Sequence, residues 1–208
     1  MTDSNYTALL LVIDRSGSMI SIRDEMIGGV TALLKTQAKA PGLLTVDVVQ
    51  FDNEIEQLDT LADPRSIEIA LEPRGATALH DAVGIAVTTF GSTLAALPEH
   101  ARPATVQVVV VTDGHENTSQ EWTAATVKKL VRQQTTTYGW DFVYLGANQD
   151  AVLTGAALGF ASDSSMTFEA GAAGVAAASA TVNRYFSDVR GGTRRGFDEG
   201  ERRASRGS

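Results

Sequence analysis

Residues 8–18 read Ala8-Leu9-Leu10-Leu11-Val12-Ile13-Asp14-Arg15-Ser16-Gly17-Ser18. Six consecutive apolar residues are too few to span a bilayer. They fit a strand buried on both faces, as in a parallel sheet covered by helices. The run halts at an acid, and two serines around a glycine follow in a tight turn. A second stretch repeats the plan: Val106 to Val111, interrupted only by Gln107, runs into Thr112-Asp113-Gly114.

Working outward, helical and strand periods alternate. Met19, Ile22, Met26, Val30, Leu33, Leu34 and Ala38 recur at helical spacing, closed by Pro41-Gly42. Leu43 to Phe51 reads as a strand, and Ile55 to Leu58 as a shorter one returning antiparallel after Asp52-Asn53. Residues 78–97 carry a helical apolar face. Thr118 and Glu121 have capping-box spacing and predict the start of the next helix, with Trp122 and Val127 on it. Further on come a strand at 142–145, a small-residue helix at 150–158, a short strand at 166–168 and a last helix from about 170 to 189. The expected fold is α/β, an open, mostly parallel sheet of about six strands with helices on both faces.

The 208 residues suffice for one domain and are tight for two. With no cysteine and three scattered histidines, disulfides, thiolate zinc sites, iron–sulfur clusters and a cysteine nucleophile are excluded. The first seven residues hold Asp3 but no Lys or Arg, unlike a signal peptide, so a cytoplasmic location is expected. Of the net charge of −8, residues 190–208 carry +3 and residues 1–189 carry −11. Such an acidic body repels nucleic acid and anionic membrane and draws cations. The Gly/Arg/Ser-rich stretch 191–208 is expected to be a flexible tail, because its composition cannot build a core.

In open α/β sheets, sites form beyond the carboxyl ends of the strands where strand order reverses. The two most apolar strands should be central and adjacent, bringing Asp14 and Asp113 to one end. Ser16 and Ser18 follow the first strand, and Thr77, in Arg74-Gly75-Ala76-Thr77-Ala78-Leu79, precedes a helix. Taken singly, Ser18 and Thr77 sit where helix N-caps belong, and Asp113 before Gly114 suits a turn. Taken together, two carboxylates and three hydroxyls form an all-oxygen, hard set suited to Mg²⁺ or Mn²⁺ rather than zinc or copper.

At these residues the sequence resembles a von Willebrand factor A (VWA) domain. Asp14-Arg15-Ser16-Gly17-Ser18, Gly75-Ala76-Thr77 and Thr112-Asp113-Gly114 stand in the order of that family's metal-ion-dependent adhesion site (MIDAS). The resemblance spans roughly residues 6–190 and assigns 1–190 to the domain. It implies a Rossmann-like fold binding Mg²⁺ or Mn²⁺. Ser16 and Ser18 would coordinate directly, Asp14 largely through water or hydrogen bonds, and Thr77 and Asp113 directly or through water. A protein partner would supply an Asp or Glu carboxylate as the last ligand. Helix N-termini after Ser18 and Thr77 are expected to add positive potential at the same spot. The single-domain layout resembles intracellular microbial VWA proteins that serve stress-response or chelatase-type ATPase assemblies.

An enzyme is the competing reading, with Asp14 and Asp113 as a metal-dependent hydrolase or phosphatase centre. Against it, a haloacid-dehalogenase-like nucleophile would need a second Asp two residues on, where Ser16 stands. The chain also lacks a Gly-x-Ser-x-Gly elbow, a Walker loop and a Gly-x-Gly-x-x-Gly turn after the first strand. His80 and His115 lie near Thr77 and Asp113 in sequence but have no activatable nucleophile beside them. A non-enzymatic binding module is expected.

Overall fold

The computed structural model describes residues 2–207. Six strands form one sheet: β1 (Asp3–Asp14), β2 (Leu43–Phe51), β3 (Ile55–Ala62), β4 (Pro103–Thr112), β5 (Asp141–Ala147) and β6 (Ser165–Phe168). Their order is β3-β2-β1-β4-β5-β6, with every pair parallel except β2–β3. Five of the helices are α1 (Arg23–Gln37), α2 (Leu79–Ala96), α3 (Ala124–Tyr138), α4 (Ala151–Ala157) and α5 (Ala172–Arg190). A 3-10 turn, Gly17–Ile22, leads from β1 into α1.

The period-2 alternation of β1 divides the core. Leu9, Leu11 and Ile13 pack with Met26, Val30 and Leu33 of α1 and Val175 and Val182 of α5. Leu10 and Val12 face the other way, toward Val83, Val87 and Phe90 of α2 and Val127 and Val131 of α3. Each of these buried aliphatic side chains contributes about 1.5–3 kcal/mol relative to exposure, so both sheet faces need their helices. β1 and β4 are the paired central strands, with Ile13 opposite Val111. The chain leaves β1 toward β2 on one side and later enters β4 on the other, so strand order reverses between them. That reversal opens a crevice where Asp14 and Asp113 emerge.

Two expectations are corrected. First, α3 begins at Ala124, capped by a Thr123–Thr126 box, not by Thr118 and Glu121. The preceding loop has other partners for its amides. Glu116 accepts from the amides of Thr118 and Ser119, and Asp81 from those of Gln120, Glu121 and Trp122. A backbone satisfied in this way has no need of a helical turn there.

Second, the C-terminal stretch packs instead of hanging free. It forms α6 (Glu199–Ser205), closed by an Asp198–Glu201 capping box. Phe197 is buried edge-on against Tyr185, with ring centroids 5.5 Å apart. Arg184 of α5 grips Glu201 at 2.8 and 2.6 Å, and Arg194 pairs with Asp141 and Asp163 at 2.9 and 2.8 Å. The segment also covers edge strand β6: Ser205 Oγ donates to the Thr167 carbonyl, Arg202 Nη1 to the Ser165 carbonyl, and Glu169 N to the Ser205 carbonyl. Its arginines find acids of the body, a complementarity that local composition does not express.

Candidate metal centre

The five oxygen donors expected from the sequence come together at the β1/β4 end of the sheet. Asp14 is fully buried. Its Oδ1 accepts from the Ser16 amide at 2.6 Å, and its Oδ2 from the Thr112 hydroxyl at 2.5 Å. Ser16 Oγ lies 3.2 Å from Ser18 Oγ, and Ser18 Oγ donates to Asp113 Oδ1 at 2.6 Å. Gly114 ties in Thr77: a Cβ added there would stand 2.8 Å from Thr77 Oγ1 and 3.6 Å from Asp14 Oδ2. Only a glycine leaves the β4 turn this close to both side chains.

The electrostatics of the set are unfavourable as they stand. Burial pushes the Asp14 carboxyl up to about 6, although the bonds from Thr112 and Ser16 pull it down, and nearby Asp113 adds to the rise. Burial also raises the Asp113 carboxyl, opposed by the Ser18 hydroxyl. Among the described residues neither forms an ion pair with a basic side chain. Of the other buried acids, Asp52 is compensated by Arg15 and Arg74 and Asp81 by three amides, whereas Asp47, held by one amide and the Gln57 side chain, is raised to about 6 like Asp14. A buried and a half-buried carboxylate that feel each other's charge, with the hydroxyls of Ser16, Ser18 and Thr77 around them, form a donor set that a hard divalent cation fits. Among the described residues no group of three or more His, Asp or Glu gathers to hold a metal. A cation here would therefore depend on the hydroxyls as much as on the acids.

Neither Ser18 nor Thr77 is a helix cap. Ser16 occupies the N-cap position of the 3-10 turn and Ala78 that of α2, and neither makes a side-chain capping bond. The start of α2 is not open toward the site either. The amides of Thr77, Ala78, His80 and Asp81 are taken by Asn117 Oδ1 (3.0 Å), the Asp52 carbonyl (2.8 Å), Glu116 Oε2 (2.9 Å) and Ser119 Oγ (3.0 Å). The positive potential expected from these amides is spent within the protein.

Sequence reasoning passed over the groups that hold Thr77. Asn117 clamps it from both directions, its side chain accepting from the Thr77 amide and its own amide donating to the Thr77 carbonyl at 3.1 Å. A polar loop residue forty positions away carries no periodic signal that would reveal this. His115 is exposed, and His80 Nδ1 lies 3.7 Å from Glu116. Among the described residues neither histidine side chain hydrogen-bonds a hydroxyl.

No protein-family profile matches the sequence, and no curated protein matches it. Solved structures do share its fold. Proximal thread matrix protein 1 of the mussel byssus is 16% identical over 91% of this chain, with a TM-score of 0.63. The chain spans about half of that protein, 47% of its length. Another structure of the mussel protein has zinc in its MIDAS motif. The vWF domain of the pilus tip protein Mfa5 of Porphyromonas gingivalis is 13% identical over 93% of this chain and 98% of its own, with a TM-score of 0.64. Manganese-loaded TRAP of Plasmodium vivax is 15% identical over 69% of this chain and 58% of its own, at 0.51. By its six-stranded, mostly parallel sheet and flanking helices, this chain has the Rossmann-like fold of von Willebrand A domains.

Proposed function

We propose that this chain is a divalent-cation-dependent protein-binding module. Ser16, Ser18, Thr77, Asp14 and Asp113 would hold Mg²⁺ or Mn²⁺, and the ion would offer a coordination position to an Asp or Glu of a protein partner. The observation that carries this reading is the gathering of buried Asp14 and half-buried Asp113 with the hydroxyls of Ser16, Ser18 and Thr77 at one end of the sheet, where no ion pair reaches either acid among the described residues. With only two anionic ligands, much of the ion's charge stays unquenched and attracts a third carboxylate. Similar folds that carry zinc or manganese support the same reading. A role inside a larger cytoplasmic assembly, of the stress-response or chelatase type, belongs to the proposal. Among the described residues no helix is long and apolar enough to cross a membrane. The hydrolase reading is not favoured: His115 is exposed and His80 lies beside Glu116, so neither histidine supports it.

Calorimetry with Mn²⁺ tests the proposal. Wild type binds the ion, and Asp14→Ala and Asp113→Ala do not. Unchanged binding in both variants refutes the site. A pull-down in Mg²⁺ against EDTA then asks whether partner capture follows the cation.

A further inference from the structure

Asp52 lies outside the donor set yet is wholly buried at the point where three loops meet. It follows β2, while the cation donors sit on the β1 turn and on the 74–77 loop. Its Oδ2 accepts from Arg15 Nε at 3.1 Å and from Arg74 Nε at 2.9 Å, and its Oδ1 accepts from the Glu54 amide at 2.7 Å. Its carbonyl takes the Ala78 amide at 2.8 Å, one residue beyond Thr77.

The two arginines belong to the two donor loops. Arg15 sits between Asp14 and Ser16, and its amide donates to the Phe51 carbonyl at 2.7 Å. Arg74 begins the loop that leads to Thr77, and its amide donates to the Arg15 carbonyl at 2.9 Å. Gly17 N reaches the Gly75 carbonyl at 3.3 Å. Gly75 is in the left-handed region, φ 68°, with Asn53 packed where a side chain would go. The loops therefore touch mainly through backbone, and one carboxylate with two guanidiniums is the side-chain tie between them. Glu56 and Glu54 accept the outer nitrogens of Arg15 and Arg74, at 2.5 and 3.3 Å. Burial would raise the Asp52 carboxyl, but Arg74, the Glu54 amide and Arg15 outweigh it and hold it below the usual range.

We propose that Asp52, bridging Arg15 and Arg74, is the positioning residue that sets the separation between the Ser16/Ser18 turn and Thr77, and so tunes the centre for a small octahedral cation. The inference rests on the cation reading above. Mg²⁺ and Mn²⁺ tolerate little error in donor placement, whereas Ca²⁺ accepts irregular, longer coordination. Breaking the tie lets the Thr77 loop drift and costs the small ions more than the large one.

The experiment measures Mn²⁺, Mg²⁺ and Ca²⁺ affinities by calorimetry for wild type, Arg74→Met, Arg74→Lys, Asp52→Asn and Asp14→Ala, with melting temperatures in EDTA. The Arg74 side chain is 56% exposed, so its variants keep the fold even where Asp52→Asn does not. Expected is a loss of at least tenfold in Mn²⁺ and Mg²⁺ affinity in Arg74→Met, with under threefold change for Ca²⁺ and a metal-free protein that still melts cooperatively, at a temperature lowered by the loss of one of the two guanidiniums on Asp52. Arg74→Lys recovers part of the loss. Mn²⁺ affinity within twofold of wild type in Arg74→Met overturns the proposal, and so does an equal loss for all three ions. Wild type that binds no Mn²⁺, or Asp14→Ala that binds it equally well, instead refutes the cation reading and the proposal with it.

Discussion

The Ser18 hydroxyl donates to Asp113 Oδ1 at 2.6 Å, joining the turn after β1 to the turn after β4 across 95 positions of sequence. A cation held by both oxygens would replace that bond, because an alcohol that lends its lone pair to the ion turns its proton elsewhere. Under the proposed function, the acids of the site would gain a counter-charge from the cation.

The first prediction follows from that gain. An ion that binds only the folded state at one hundred times its dissociation constant stabilises it by about 2.7 kcal/mol. In a chain of this size that raises the melting temperature by about 5–10 °C. Scanning calorimetry in Mg²⁺ and in EDTA should show this shift for wild type and none for Asp14→Asn or Asp113→Asn.

Thr77 gives a sharper test because it caps nothing. Thr77→Ala should lower metal-free stability by no more than about 1 kcal/mol, through its lost methyl group. The Mg²⁺-induced shift should disappear in Thr77→Ala and survive in Thr77→Ser, which keeps the hydroxyl. A full shift in the alanine variant would remove Thr77 from the donor set.

Truncation after Arg190 addresses the C-terminal segment. It removes buried Phe197, the Arg184–Glu201 pair and the cover on β6. Phe197→Ala alone should cost about 3 kcal/mol, and the truncation more than that in urea denaturation. Light scattering should also show association of the truncated chain, since an uncovered strand edge pairs readily. A truncated protein as stable and monodisperse as the full chain would show that these contacts contribute little.

Asp47 governs a pH dependence away from the metal centre. Burial pushes its carboxyl up to about 6, against the Leu61 amide and the Gln57 side chain, while Asp59 adds to the rise. A carboxyl raised on folding favours the folded state only while protonated. Its contribution is complete below about pH 4, near the unfolded value, and fades as pH rises through about 6. Asp47→Asn keeps an acceptor for Leu61 and never ionises. Urea midpoints of wild type and variant should run parallel below about pH 4, and the variant should gain steadily on wild type between about pH 4 and 6. A constant difference across that window would rule the effect out.

The sequence by itself determined the sheet, its two layers of helices and the end at which chemistry gathers. Apolar runs such as 8–13 admit only a strand covered on both faces, and an acid ending each of the two most apolar strands must emerge where strand order reverses. The five candidate donors were legible for the same reason: each lies within a few residues of an element whose period is strong. Tertiary structure alone decided how the loops beyond those elements are satisfied. Asn117 holding Thr77, Glu116 and Ser119 taking the first amides of α2, Asp52 joining Arg15 to Arg74, and Phe197 seated on Tyr185 are all pairings between distant stretches. Such partners depend on where loops meet in space. A polar residue in a loop carries the same local pattern whether it faces water or a backbone amide, so periodicity cannot tell the two apart.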